Sequence, residues 1–511
     1  MDMNTINTDV LISGAGAAGI RAAIAAGQKG VAVTIVTESR IGDTGSTFSE
    51  ISKGWGIQAL VGDERTDENL EIFYDEIINA GLGQCDPGLV QTLVEESGER
   101  LNDLISYGIR FKKDDHGDYL RVKGCFSDVK RALLTDDLEN SKQAFMSILQ
   151  RLPVKIVTGF VLDLILCEKV CRGAWIATNT GEITRIDAGA TILATGGGAG
   201  IFKDHMVGSN DFGHGYALAD RAGAELDNME FIQFMLGLKH NGSRDFLSLG
   251  DPQKPVVMYD SRGGDLLERH IPDSSFRAEA IAKRLGHGPF SCRDTSCRID
   301  LAVAQERKDG KKVYASNGKV ARVVHFAHAF NGGIRINKRT ETTIPGLYAA
   351  GEVAAGPHGA DRIGGCMMTA TQVFGKIAGE SAAEHAKLTG KKAPPDVVPI
   401  GMGSRLRSAT LHGDPEIFEI EKEVKGLMNR YVAVIRDRDG LGACLNQLAK
   451  YKRLWDDMQR NLTIPPKKFF KLRNMIHTAR LVAQGALKRH QSCGSHFRSD
   501  FSATTVRKRL K

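Results

Sequence analysis

The sequence predicts an α/β protein: a Rossmann-like nucleotide-binding domain in two pieces, an α+β insertion between them, and a helical C-terminal domain. Three observations predict it. A short apolar run near the N-terminus enters a glycine-rich turn and then an alanine-rich helix. Two later apolar runs, ending near Gly196 and Gly351, also run into glycines, and a stretch of different texture separates them. Beyond about 415, Leu, Ile, Met and Val recur at helical spacing. A chain of 511 residues also exceeds the size at which one core stops growing.

Taken in order, residues 10–12 read as a buried strand, 20–28 as a helix stopped at Gly30, and 31–36 as a second parallel strand that ends at Glu38. That is one βαβ unit. Residues 66–109 have a helical pattern, with Asp86-Pro87 marking a helix start. Strand patterns follow at 154–157, 161–166 and 190–195. From 234 to 324 the periodicity weakens and Gly, Pro, Asp and Arg become frequent. Strand and helix signals return at 346–351 and 372–385, and Lys391-Lys-Ala-Pro-Pro-Asp reads as a linker. Residues 415–460 and 468–489 have helical spacing of Leu, Ile, Met and Val. The expected division is 1–233 and 325–395 for the two pieces of the nucleotide-binding domain, 234–324 for the insertion, which caps the site, and 405–511 for the helical domain.

Composition excludes several classes. Apolar residues make up 42% and charged residues 25%, an ordinary globular balance. The net charge of +7 suits an anionic ligand but is far from the basic stripe of a nucleic-acid-binding protein. Much of it lies in Lys467, Lys468, Lys471, Arg473 and the terminal Arg507, Lys508, Arg509 and Lys511, a pattern typical of a solvated face or tail. Nine cysteines include no C-x-x-C pair, so neither a disulfide framework, a metal site nor an iron–sulfur centre is expected. The N-terminus lacks the basic region of a signal peptide, and no uncharged stretch is long enough to span a membrane. A cytoplasmic protein is expected.

The chemistry begins at Gly14-x-Gly16-x-x-Gly19. It lies between a predicted strand and helix, with Glu38 closing the next strand. The glycines let backbone N–H groups approach a pyrophosphate at the positive end of a helix, and the carboxylate suits a ribose hydroxyl. This motif alone leaves FAD and NAD open. Two further glycine elements follow, Ala194-Thr195-Gly196-Gly-Gly and Gly346-Leu-Tyr-Ala-Ala-Gly351-Glu352. Three such elements split by an insertion resemble the glutathione-reductase-type FAD fold. With His328-x-x-x-Gly332-Gly333, Gly351-Glu352-Val-x-x-Gly-x-His358-Gly-Ala-x-Arg362 and Arg489-x-x-Ser492-x-Gly494-x-His496-Phe-Arg-x-Asp500-Phe501, the chain resembles the succinate dehydrogenase, fumarate reductase and L-aspartate oxidase flavoproteins over its whole length.

The resemblance implies an FAD-dependent oxidoreductase that exchanges hydride between flavin N5 and a small carboxylate-containing substrate. Its implied cofactor contacts are Gly14, Ala15, Gly16, Ala17, Ala18, Gly19, Glu38, Ser39, Gly45, Ser46, Thr47, Val161, Ala194, Thr195, Gly196, Glu352, Met367 and Met368. Gly332 and Gly333 would let the backbone pass close to the isoalloxazine. Ser46 stands where succinate dehydrogenases carry the histidine that bonds to flavin, and the aspartate oxidase type also has serine there, so non-covalent FAD is implied. Arg293, in Arg293-Asp294-x-x-x-Arg298, resembles the arginine that shuttles the substrate proton. His328 and Arg362 resemble the residues that grip a substrate carboxylate.

The departures from the pattern shape the expected substrate. Met235 replaces the histidine that binds a second carboxylate, Val257-Met258 replaces a Thr-Glu pair, Gly213-His214-Gly215 replaces Gly-Asp-Gly, and Cys366-Met367-Met368 replaces Asn-Ser-Leu. An apolar wall facing a second carboxylate would leave that charge unpaired at a cost of roughly several kcal/mol, so plain succinate, fumarate or aspartate is not expected. Two alternatives stand beside this reading. One is an amino-acid oxidase like L-aspartate oxidase; the other is the flavoprotein subunit of an electron-transfer complex, like adenylylsulfate reductase, with an electron-accepting partner subunit. A scaffold retaining FAD as structure is disfavoured by the joint presence of Arg293, His328 and Arg362. A nucleic-acid role is disfavoured because the basic residues are not interleaved with aromatics.

Overall fold

A computed structural model describes residues 4–48, 54–208, 210–251, 254–316, 320–390, 415–461 and 466–501. The linker reading at 391–396 and the terminal basic cluster at 507–511 lie outside the described residues.

The N-terminal βαβ unit forms as its sequence dictates. Strand β1 (Thr5–Ser13) enters helix α1 (Ala17–Gln28), and β2 (Val33–Thr37) returns parallel to β1 with Val10 opposite Val33. Eleven of the twelve α1 residues are buried, eight of them alanine or glycine, and the buried Arg21 is paired with Asp103. Two glycines are obligatory. Gly14 has φ +108°, and a Cβ there would overlap the Ala194 carbonyl; a Cβ on Gly19 would overlap the Gly14 carbonyl. Helices α2 (Asp67–Gly81) and α3 (Pro87–Ser106) follow. Asp86 caps α3 by accepting the Gly88 and Leu89 N–H groups, with Pro87 in the first turn.

The structure corrects the strand pattern after 150. Residues 154–157 and 161–166 belong to one strand, β3 (Val154–Cys167). It pairs parallel with β2 up to Thr158 and antiparallel with β4 (Val170–Thr178) from Gly159 onward, so one strand serves two partners. Strand β4 returns through β5 (Ile183–Leu193), which lies parallel to β1. Helix α4 (His214–Ala222) follows.

The insertion is built on an antiparallel sheet that runs slightly past both expected edges. Its strands are β6 (Ile232–His240), β7 (Ser243–Phe246), β8 (Met258–Asp260), β9 (Val313–Ser316) and β10 (Val320–Phe330), in spatial order β7-β6-β10-β9-β8. Helices α5 (Ser274–Gly286) and α6 (Cys297–Lys308) accompany it, and Met258, Leu266, Ile299 and Val313 belong to its separate core. Strand β11 (Leu347–Ala349) then rejoins the first sheet beside β5, and α7 (Cys366–Thr389) packs against α1. Helices α8 (Pro415–Leu427), α9 (Arg438–Asn461) and α10 (Pro466–Lys488) close the chain; a π turn at Met428–Val432 interrupts the expected run between the first two. Among the described residues no helix is long and apolar enough to cross a membrane.

Candidate active site

A cavity of about 490 Å³ opens between the start of α1, the strand ends of the first sheet and the inserted sheet. All but three of the candidate site residues stand on its wall; Gly19, Ser39 and Arg293 do not. Gly19 acts one layer back, through its close approach to Gly14. Ser39 Oγ meets Thr44 Oγ1 at 2.8 Å instead. Gly332, Gly333, Val257 and Met258 are also off the wall. The two glycines serve backbone packing, since Cβ atoms there would overlap the Asn228 and Val353 carbonyls. Met258 is buried in the core of the insertion and Val257 is half exposed, so only Met235, Met367 and Met368 of the apolar replacements face the cavity.

One end of the cavity fits a dinucleotide. Helix α1 starts after Gly16 with no side-chain cap on its first turn from that residue, and the Ala17 N–H reaches Thr47 Oγ1 at 3.1 Å. Glu38 follows the last residue of β2 on the same wall. Further along, Glu352 Oε1 accepts the Phe330 N–H at 2.9 Å, and burial pushes its carboxyl up to about 7. Gly197 makes room for it, because a Cβ there would overlap the Glu352 carboxyl.

The other end carries His328 and Arg362. Arg362 is buried, its Nη1 donates to the Ile363 carbonyl at 3.0 Å, and its Nε has no partner. It makes no ion pair among the described residues, and desolvation lowers its pKa. His328 Nδ1 is also buried without a partner; burial and the neighbouring Arg362 charge hold the ring neutral, with its pKa lowered to about 4. Gln233 Nε2 fixes the backbone by donating to the Arg362 carbonyl at 3.0 Å. Trp55, Cys125, Phe246 and Asp211 complete the wall. No spacing rule singled them out, although Asp211 lies just before the Gly213-His214-Gly215 element.

Arg293 is placed differently from the expectation. Its Nε donates to Asp361 Oδ2 at 3.0 Å, Nη2 donates to the Ala80 carbonyl at 2.8 Å, and the guanidinium lies 4.8 Å from the centre of the Phe126 ring. Asp361 stands beside Arg362 in sequence and is fully buried. An arginine is drawn to such a carboxylate, and here the pair joins the insertion to the first domain rather than facing the cavity.

Residues 9–368 match the family model described as FAD binding domain, and residues 421–509 match the one described as fumarate reductase flavoprotein C-term. The chain belongs to the succinate dehydrogenase, fumarate reductase and L-aspartate oxidase flavoprotein family. It is therefore an FAD-dependent oxidoreductase. An uncharacterised FAD-dependent oxidoreductase of Methanocaldococcus jannaschii is 30% identical, covering 98% of this chain and 94% of that protein. A subunit of the fumarate reductase (CoM/CoB) of Methanothermobacter marburgensis is 28% identical, covering 99% and 96%. Among solved structures, the flavoprotein of Escherichia coli quinol fumarate reductase superposes with a TM-score of 0.80 at 21% identity, covering 98% and 92%. That last likeness is one of fold.

Proposed function

We propose that this flavoprotein oxidises or reduces a small substrate with one carboxylate and an apolar or uncharged far end. The observation that carries the reading is Arg362: a buried guanidinium on the cavity wall with no carboxylate partner among the described residues. A buried charge without a counter-ion is costly, and a substrate carboxylate matches the parallel N–H donors of arginine. FAD, held at the glycine end, supplies a centre that accepts or gives up a hydride. Arg362 orients the carboxylate, and neutral His328 adds a hydrogen bond without a second charge. Met235, Met367 and Met368 exclude water around the rest of the substrate and offer nothing to a second carboxylate. Proton transfer through Arg293 belongs to this proposal with one condition: the guanidinium must first leave Asp361 and the Ala80 carbonyl.

Steady-state assays of flavin reduction and reoxidation with artificial electron carriers test the reading. Succinate, fumarate and aspartate should be poor substrates beside monocarboxylates such as butyrate and crotonate. Turnover of any of those three with kcat/KM of about 10⁴ M⁻¹s⁻¹ or more would sink it. The relative named as part of a fumarate reductase favours a second feature, an electron-carrying partner protein. The isolated chain should then turn over with dyes far faster than with oxygen.

A further inference from the structure

Asp211 lies in the turn before α4, and its carboxyl is walled in, with 6% of the residue exposed. Its Oδ2 accepts the Ser46 hydroxyl at 2.6 Å, and its Oδ1 lies on the side of Gly196. Both neighbours belong to the cofactor seat. Gly196 is the first glycine of the second glycine element, and Ser46 precedes Thr47, whose Oγ1 binds the first turn of α1. The acid is thus set beside the place that glycines and a helix N-terminus prepare for phosphates.

Little around Asp211 offsets a negative charge. Glu38, at the end of β2, acts on it, and Glu352, after β11, shares the cavity with it. Tyr216 of α4 faces it as a neutral phenol, and His214 of the same helix is held neutral by burial. Lys471 of α10 acts on it as well, but that ammonium is bonded to Asn210 Oδ1 at 3.0 Å and lies 4.9 Å from the centre of the Phe212 ring. Asp211 forms no ion pair among the described residues. A carboxylate here would face the phosphates of a dinucleotide without a counter-ion.

We propose that Asp211 is protonated in the holoenzyme and donates a hydrogen bond to an acceptor oxygen of the bound dinucleotide, so that FAD binding takes up a proton. The free carboxyl is already pushed up to about 6 by burial, and a neighbouring anion raises it further. The sign follows from linkage. FAD selects the protonated form, so affinity is full below about pH 6. Above that it falls about tenfold per pH unit, until the pH passes the titration of the bound form.

FAD binding to the apoprotein, followed by fluorescence quenching from about pH 5 to about pH 8.5, tests the proposal. Calorimetry in buffers of different ionisation enthalpy counts the protons. Wild type should take up close to one proton per FAD near pH 7.5 and lose affinity as described. Asp211→Asn carries a permanent N–H donor, so its affinity should be flat with pH and at least about tenfold above wild type at pH 8. Glu352→Gln, lacking the other buried acid, should keep the wild-type slope. Ser46→Ala removes a hydrogen bond that favours the charged form, so the fall should begin at higher pH; this variant decides the matter if Asp211→Asn does not fold. A pH-independent wild type, a slope lost in Glu352→Gln but kept in Asp211→Asn, or weaker binding by Asp211→Asn at every pH would overturn the proposal.

Discussion

Ser46, which the sequence resemblance sets against a flavin-linking histidine, carries a hydroxyl hydrogen-bonded to Asp211. A serine hydroxyl cannot make that bond to the flavin ring, so acid or heat denaturation should release all the FAD into the supernatant. Yellow colour staying with the precipitate would contradict this. The residues legible in the sequence were those with a geometric duty. Gly14 needs a positive φ, Gly16 opens a helix, and Glu38 must end a strand, so spacing alone exposes them. Asp211 was not legible, because its meaning comes from a loop far away in sequence that brings Ser46 to it. Arg293 was recognised by its neighbours in sequence. Its partner, Asp361, is 68 residues further on, and no local pattern reveals that pairing.

At the scale of elements, the Arg293–Asp361 pair is a clasp between the insertion and the first domain. It works with Ser291, whose hydroxyl donates to the same Asp361 oxygen at 2.6 Å. Replacing Arg293 by alanine leaves a buried carboxyl without its cation, a loss of about 3–5 kcal/mol for a fully buried pair and less here, where the arginine is 23% exposed. Hydrogen exchange should accelerate in α5 and α6 while β1 and β5 keep their protection. The double variant Arg293→Ala/Asp361→Asn should exchange more slowly than the single one. Unchanged exchange in α5 and α6 would mean the pair fastens nothing. Strand β3 shows why strands were harder to read than helices. Its hydrophobic pattern breaks where it changes partners at Gly159, so one long strand looks like two.

For the whole molecule, burial of histidines governs the response to acid. His205 and His328 are lowered to about 4 and His358 to about 3, all chiefly by desolvation, and His214 lies well below its ordinary value. In the unfolded chain each titrates near 6.5, so unfolding takes up protons and their stabilisation is lost as pH falls from about 6.5 towards 4. Asp211 and Glu352, raised to about 6 and about 7, act in the opposite sense and gain stability as pH falls. Glu96 and Asp361 are raised as well, and His325, His385 and His496 are lowered; the four carboxyls do not offset the seven histidines, so the urea midpoint of the apoprotein should be lower at pH 5 than at pH 7. A midpoint that rises would show that some of these rings are charged in the fold. The division into a split nucleotide-binding unit, an insertion and a helical end could be read from the chain because each part has its own periodicity. How the parts meet could not, since the cavity is assembled from residues of every part but the helical end.

Arg362 is the proposed seat of the substrate carboxylate, and Arg362→Lys tests that role most directly. Lysine keeps the charge but loses the planar pair of donors, and a charge-assisted hydrogen bond contributes roughly 1.5–3 kcal/mol. Titrating holoenzyme with butyrate and crotonate, read by the change in flavin absorption, should show affinity reduced by about ten- to a hundredfold in the variant, with FAD content unchanged. Equal affinity in the two proteins, with both acids bound, would contradict the role given to Arg362.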